Sequence, residues 1–419
     1  MRRIVAAATV LSVLPLAAAA QQLEPVTFEE AVRRAITNHP TVQQAAAGVL
    51  RSRAIERQAR ARSLPSVDAT LSTNVIDPVT QFEGTSIAPR TQTVSTAGLA
   101  VPLFTPVSWA ERVQAEDQVA VSTRAEADAR RAIALATGRA YLSVIAGRRV
   151  LELNERARDT ARAHYDYAEQ RFQGGLGSRL NALRAQQELS GSEARVEEAR
   201  LAVRRAQETL GVLMASDRPV DAAAEPVFQL PADAARDADL VQSRQDVQLI
   251  AARQSAAQRV SDDAWKDRLP SATALVTPQA LAPAGLFADQ RSWRASFVLS
   301  VPIFDGGQRR ARAREREVLV DIVRAERADA ERRAASEIRA ARDAIVATER
   351  AREYARLAAQ QAGEVLQITD VAFREGATTN IEVIDAQRRA RDADTAAEMA
   401  ADAVRQAHLE LLAAVGRFP

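Results

Sequence analysis

An internal duplication limits what this chain can fold into. Leu64-Pro65-Ser66 returns as Leu269-Pro270-Ser271, Val101-Pro102-Leu103-Phe104 returns as Val301-Pro302-Ile303-Phe304, and Phe172 through Gln186 returns as Phe373 through Gln387. Matches in one order, about 200 residues apart, make two copies of one unit. Each unit is a strand hairpin followed by a long antiparallel helical pair. Short amphipathic strands coupled to helices too long for a compact domain leave few architectures open.

The strands declare themselves by period. From Ser66 to Ile76 the odd positions Val67, Ala69, Leu71 and Val75 are apolar, apart from Thr73, while Ser66, Asp68, Thr70, Ser72 and Asn74 are polar. Side chains alternate across a strand, so this segment has one wet face. Its partner, about 92–101, alternates more weakly. In the second unit Trp293, Ala295, Phe297, Leu299 and Val301 share one face, with Arg294, Ser296 and Ser300 on the other. Strands of about ten residues cross a bilayer when tilted. The strands alone leave a soluble two-stranded ribbon equally open. Polar loops with Pro and Gly, Asp77 to Arg90 and Thr277 to Arg291, separate the strands of each pair.

Thr27-Phe28-Glu29-Glu30 spells a capping box that opens a first helix, which yields at Asn38-His39-Pro40 to a second run over about 41–62. Thr105-Pro106 and Asp305-Gly306-Gly307 then start helices over about 107–172 and 308–374. Each would be roughly 100 Å long. Aliphatic residues at spacings of three, four and seven, such as Tyr141, Leu142, Ile145, Val318, Ile322, Ile338 and Ile345, indicate coiled-coil-like packing. Each long helix reverses at glycine, and helices of about 35 residues return to Gly211 and Gly416. The organisation is therefore a leader over 1–20, a first repeat over 21–215 with its strand pair at about 66–101 and its tip near 173–179, a linker over 216–240 with Pro219, Pro226 and Pro231, and a second repeat over 241–419 with its strand pair at about 271–301 and its tip near 374–380.

Arg2 and Arg3, the apolar run from Ile4 to Leu16 and Ala18-Ala19-Ala20 read as a cleavable secretory signal peptide. Those two arginines carry the formal charge of +2, so the exported chain is balanced. Lys266 is the one lysine; the positive charge is arginine spread between acids, a pattern that excludes a nucleic-acid face. The run Arg309, Arg310, Arg312, Arg314 and Arg316 is interleaved with Glu315 and Glu317, and its role stays open. Without cysteine there is no disulfide framework, no thiolate metal site and no lipid anchor at the cleavage point. His39, His164 and His408 are isolated, without the paired spacing of a helical zinc site, and Gly174-Gly175-Leu176-Gly177 follows a helix and not a strand, so it is no phosphate cradle. No catalytic residue and no cofactor is expected.

With the capped first helix, two strand pairs and two long hairpins in order, the chain resembles the TolC-like outer-membrane efflux proteins, the outer-membrane factors of tripartite pumps and type I secretion. Thr27-Phe28-Glu29-Glu30-Ala31 with Asn38-His39-Pro40, Leu64-Pro65, Val301-Pro302-Ile303-Phe304-Asp305-Gly306-Gly307 and the turns with Gly175 and Gly376 carry the resemblance. It implies an α+β membrane protein, a homotrimer whose four strands per chain build a 12-stranded transmembrane β-barrel, continued by a long periplasmic α-helical barrel of coiled-coil hairpins. It also implies outer-membrane localisation, contact with outer-membrane lipid, a periplasmic adaptor (membrane fusion) protein and, through it, an inner-membrane transporter. Physics agrees on the need for other copies, because open sheet edges cannot face hydrocarbon.

The periplasmic tips are where the resemblance places gate and adaptor contact. Gly376-Ala377-Thr378-Thr379-Asn380-Ile381-Glu382-Val383-Ile384-Asp385 fits the pattern, which makes Glu382, Asp385 and Phe373 aperture candidates, and Gly175, Gly177, Ser178, Gly376, Thr378 and Thr379 adaptor-contact candidates. A ring of carboxylates would attract cations. Thr379 to Glu382 also spells a capping box, and Asp385 also reads as an ordinary solvated helix residue. The first tip departs from the pattern: Asn181 and Ala182 stand where an acid and a valine are usual, Gly177 replaces a larger residue, and in the second tip Phe373 stands where relatives often carry tyrosine. The competing architecture is a secreted or periplasmic structural coiled coil without a pore.

Overall fold

The computed structural model describes residues 24–79, 81–82, 84–87, 89–229, 236–284 and 288–418. The signal-peptide segment and Pro231 of the linker lie outside the described residues. Strand β1 (Glu24–Val26) leads into α1 (Phe28–Asn38) and α2 (Pro40–Ala61), then β2 (Ser66–Val75), a two-residue ribbon of β3 (Gln81–Phe82) and β4 (Thr85–Ser86), and β5 (Thr91–Phe104). The first hairpin is α3 (Pro106–Gln173) and α4 (Arg179–Leu213). After β6 (Val220–Ala222) come α5 (Asp237–Ser243), α6 (Gln245–Asp262) and a 3-10 segment (Asp263–Arg268). Strands β7 (Ser271–Ala282) and β8 (Arg291–Ser300) and the second hairpin, α7 (Gln308–Arg374) with α8 (Asn380–Ala414), complete the second unit.

Local chemistry sets the boundaries. Thr27 accepts from the Glu30 amide at 3.3 Å, but Glu30 turns to Arg33 and Arg34, so only half of the expected capping box forms. His39 ends α1 and caps α2, its Nδ1 accepting from the Thr41 amide at 3.2 Å. Asp305 accepts from the amides of Gly307 (3.1 Å) and Arg309 (2.9 Å), as expected, whereas Thr105 leaves its hydroxyl buried without a partner beside Pro106. The expected linker also proved more ordered than its prolines suggest, since β6 pairs in parallel with β1 and α5 begins at Asp237.

Four strands form one antiparallel sheet in the order β2-β5-β7-β8. Its register puts Val67 opposite Leu99, Leu99 opposite Val276 and Val276 opposite Ala295. One face is thus mainly apolar, with Ala69, Ala97, Pro278 and Trp293 in the next row and Phe297 one row further along β8, although the row of Leu71 runs through Ser95 to Arg291. The other carries Asp68, Thr70, Thr96, Thr277 and Arg294. Among the described residues nothing covers the apolar side: Trp293 is 74% and Phe297 64% exposed. Among the described residues no helix is long and apolar enough to cross a membrane.

The core lies midway along the hairpins. Val26, Phe28, Tyr141, Leu142, Leu210 and Leu409 bring together β1, α1, α3, α4 and α8, and Val241, Val247, Ile338 and Leu411 make the corresponding cluster of the second unit. Tyr141, Leu142, Ile145 and Ile338 are buried as their spacing predicts. Val318 and Ile322 are not; they remain exposed on α7, with no described element of the chain lying over them.

Candidate functional site at the hairpin tips

Both long helices end in the same way. Gly175 and Gly376 adopt left-handed φ angles of 71° and 77°, which L side chains resist. The following amides reach back into the helix, Leu176 to Arg171 O and Ala377 to Ala372 O, each at 2.8 Å. Ser178 then caps α4, accepting from the Leu180 amide at 3.2 Å. At the second tip Glu382 accepts from the Thr379 amide at 3.2 Å, so this acid takes part in the return half of a capping box. Asp385, one turn on, pairs with Arg389 at 3.0 Å on the exposed face of α8. An exposed pair of this kind is worth about 0–1 kcal/mol, so both carboxylates stay available to solvent and ions.

Phe373 sits elsewhere. It is buried, its ring packed 5.3 Å from that of His164 and 5.9 Å from that of Tyr167, so it acts on the tip from inside the hairpin pair. Beside it runs a polar link that residue spacing did not reveal. His164 Nε2 lies 2.7 Å from Asn380 Oδ1, and Asn380 Nδ2 donates to Asn181 O at 3.3 Å. Since the Asn380 oxygen can only accept, His164 carries its proton on Nε2. The link joins α3, α4 and α8, and with them both hairpins. Only Asn181, already noted as departing from the usual pattern, offered a hint of it. A cleft of about 480 Å³ opens between the tips, lined by Arg171, Leu176, Ser178, Arg184, Thr379 and Ile381. Thr378, Gly376 and Gly177 border the same cleft, so the adaptor-contact candidates other than Gly175 are brought together there.

Burial lowers the pKa of His164 and the nearby Arg374 lowers it further, while the Asn380 bond and Asp370 oppose the shift. A histidine held neutral in the native state contributes stability that is complete above the ordinary imidazole value. That stability is lost as pH falls from there through the depressed native one. Melting midpoints should therefore drop between pH 8 and pH 5 by more in the native sequence than in His164→Gln, whose amide can replace the Nε2 donor. The difference in slope is at most about 1.4 kcal/mol per pH unit. Equal slopes would remove His164 from the acid response.

The sequence profile described as outer membrane efflux protein matches residues 31–216 and 238–417. The chain belongs to the outer membrane efflux protein family. Among solved members of this architecture, the CmeC outer membrane channel of Campylobacter jejuni superposes with a TM-score of 0.82 at 15% identity over 93% of this chain and 86% of that one. The outer membrane protein VceC of Vibrio cholerae superposes with a TM-score of 0.79 at 18% identity over 93% and 96%. A curated relative, the fusaric acid resistance protein FusA of Burkholderia cepacia, is 28% identical over 280 residues, or 63% of this chain. The match spans about half of that relative's length, 52%. Both halves of the efflux-protein match fall on the duplicated units, and the interval between them, 217–237, contains β6.

Proposed function

We propose that this efflux protein is the exit duct of a tripartite efflux or type I secretion system, made of three copies whose sheets close a 12-stranded barrel in the outer membrane and whose hairpins form a periplasmic tube. The leader directs export and is cleaved, and no lipid is attached. The tips meet a periplasmic adaptor that links the duct to an inner-membrane transporter, and the cleft between them is the contact surface. One observation carries the reading: a sheet with a largely apolar, exposed face and two open edges is joined to helices of 68 and 67 residues that run far beyond the core at their middle. The relative named for fusaric acid resistance supports export of a small toxic compound over secretion of a protein. The pore-free coiled coil fits poorly, because it would leave Trp293 and Phe297 in water.

Glu382 and Asp385 set the charge at the periplasmic mouth in this reading. Purified protein in planar bilayers should give stable conductance steps, and Glu382→Gln/Asp385→Asn should lose cation preference or divalent-cation block while keeping the steps. Unchanged selectivity would remove the two acids from the aperture. Failure of well-folded protein to conduct at all, together with stability in buffer without detergent, would overturn the duct itself.

A further inference from the structure

The apolar face of the sheet changes character toward its loop end. On the helix side of this face stand Val67, Leu99, Val276, Phe297 and Leu299; nearer the loops come Ser95, the hydroxyls of Thr73 and Thr93 bonded to each other at 3.0 Å, and Arg291. Among the described residues Arg291 is the one charged side chain on this face, and it is exposed and meets no acid. A groove of about 640 Å³, the size of a ligand site, lies at this border. Its banks are two neighbouring rows of the apolar face, one running from Ala69 to Trp293 and one from Leu71 to Arg291, and the strand backbone between them is its floor. The middle of each bank is low, with Ala97 and Pro278 in one and Ser95 and Ala280 in the other. Leu71 at one end and Trp293 at the other are 72% and 74% exposed and stand up as walls. The loop-side bank thus offers a cation and a hydroxyl, and the helix-side bank an aromatic ring and methyl groups, which is the chemistry that receives an amphiphile.

The far end of the sheet fixes the height of the groove. There Phe104 packs edge-on to Trp109 at 5.4 Å, and both rings are partly exposed. From Ser95 to Phe104 the strand climbs about 30 Å at ~3.3 Å per residue, or about 23 Å of height at a tilt of about 40°. Membrane barrels carry an apolar band about 25 Å tall between two aromatic girdles. Trp293 belongs to one girdle and Phe104 with Trp109 to the other, so Arg291 stands just past the hydrocarbon, at headgroup level, on the side away from the helices.

We infer that the groove binds a phosphorylated glycolipid of the outer leaflet, with Arg291 pairing with a phosphate, the Trp293 ring covering a sugar face, and the acyl chains running down over Val276 and Phe297. The inference deepens the proposed duct and rests on its reading of the sheet as embedded in the outer membrane with the loops outside. A guanidinium holds a phosphate through parallel charge-assisted hydrogen bonds, and no carboxylate among the described residues competes for this one. The groove reaches across four strands, roughly 14 Å at about 4.8 Å per strand, which gives room for linked sugar rings where a phosphoglycerol head would fill only part of it. The exposed indole supplies the flat apolar surface that the C–H face of a sugar packs on.

The test titrates purified protein in detergent with bisphosphorylated lipid A, with the same lipid after its phosphates are removed, and with phosphatidylglycerol, and reads binding from the melting midpoint and from native mass spectrometry. Bisphosphorylated lipid A should raise the midpoint of the native protein at the lowest concentration of the three. Arg291→Gln should weaken that binding by about tenfold or more, the effect of losing a charge-assisted bond to phosphate, and should make the phosphorylated and dephosphorylated forms bind alike. Trp293→Ala should weaken both forms equally. Arg294→Gln removes the same charge from the opposite face of the same strand and should bind as the native protein does. All three side chains are exposed, so the variants should keep the native circular dichroism. Equal losses in Arg291→Gln and Arg294→Gln overturn the site in favour of general charge attraction. Phosphatidylglycerol binding as tightly as lipid A overturns the glycolipid as occupant. No midpoint shift with any lipid, in protein that still conducts in bilayers, overturns the groove and leaves the duct intact, whereas folded protein that neither conducts nor needs detergent overturns the duct and the inference with it.

Discussion

Replacing Glu188 with alanine should lower the stability of the hairpin pair by about 3 kcal/mol, among the largest losses expected from one side chain outside the apolar core. Glu188 stands on α4 and is only 4% exposed. Its carboxylate accepts from Arg388 Nε at 2.6 Å and Arg391 Nη1 at 3.4 Å, both on α8, and Arg195 Nη1 lies 3.8 Å away. One buried acid therefore answers three guanidinium groups on two helices. Without it Arg391, whose side chain is 10% exposed, keeps only Asp392, and Arg195 Nη1, already buried without a hydrogen-bond partner, loses its counter-charge. The loss sits at the low end of the range for a broken buried pair because Arg388 and Arg195 are half exposed. Guanidinium unfolding monitored by circular dichroism reads the effect. Removing the partners as well, in Glu188→Leu/Arg388→Leu/Arg391→Leu, should restore most of it, since apolar replacement of a whole buried ion cluster is often neutral. A melting profile unchanged in Glu188→Ala would mean that the cluster does not hold the hairpins together.

This cluster is invisible to residue spacing, and the reason separates what could be read in the sequence from what could not. Periodicity reports which face of an element is apolar, so the strands of 66–75 and 291–300, the long helices and the glycine reversals at 175 and 376 were all legible. Glu188, Arg388 and Arg391 look like any solvated acid and arginines on helices until α4 is laid against α8. Asn380 and His164 are the same case: each is an unremarkable polar residue in its own helix, and their meaning comes from a contact across 216 residues of chain. Short strands escape for a different reason. Glu24–Val26 and Val220–Ala222 hold three residues each, too few for a period to show. The exposure of Val318 and Ile322 is a third kind of difference, in which the heptad-like pattern is real but its partner surface is proposed to lie on another copy.

Tyr141 should be the side chain whose truncation costs most. It is fully buried at the middle of α3, its ring set edge-on to Phe28 at 5.4 Å, and burial raises its phenol pKa. The hydroxyl lies 2.8 Å from Ala224 O and 3.1 Å from Val26 O, and it accepts from the Ala224 amide at 3.3 Å. Val26 ends β1 and Ala224 follows β6, so one hydroxyl fastens the small parallel ribbon, and with it the first part of the linker, onto the first hairpin. Asp221 of β6 adds a second tie, accepting from Arg148 Nη1 at 2.8 Å and Gln207 Nε2 at 3.1 Å. Tyr141→Ala removes ring and hydroxyl together and should lower stability by about 3–5 kcal/mol. Tyr141→Phe keeps the ring against Phe28 but strands buried backbone groups, at about 1–3 kcal/mol. The two variants also predict different local behaviour. In Tyr141→Phe limited proteolysis should cut first between β6 and α5, because the ribbon loosens while the helical core stays packed. Tyr141→Ala should open the hairpin midpoint as well. If both variants unfold at the native denaturant midpoint, the ribbon is held by Asp221 and by packing around Phe28, and the hydroxyl is dispensable.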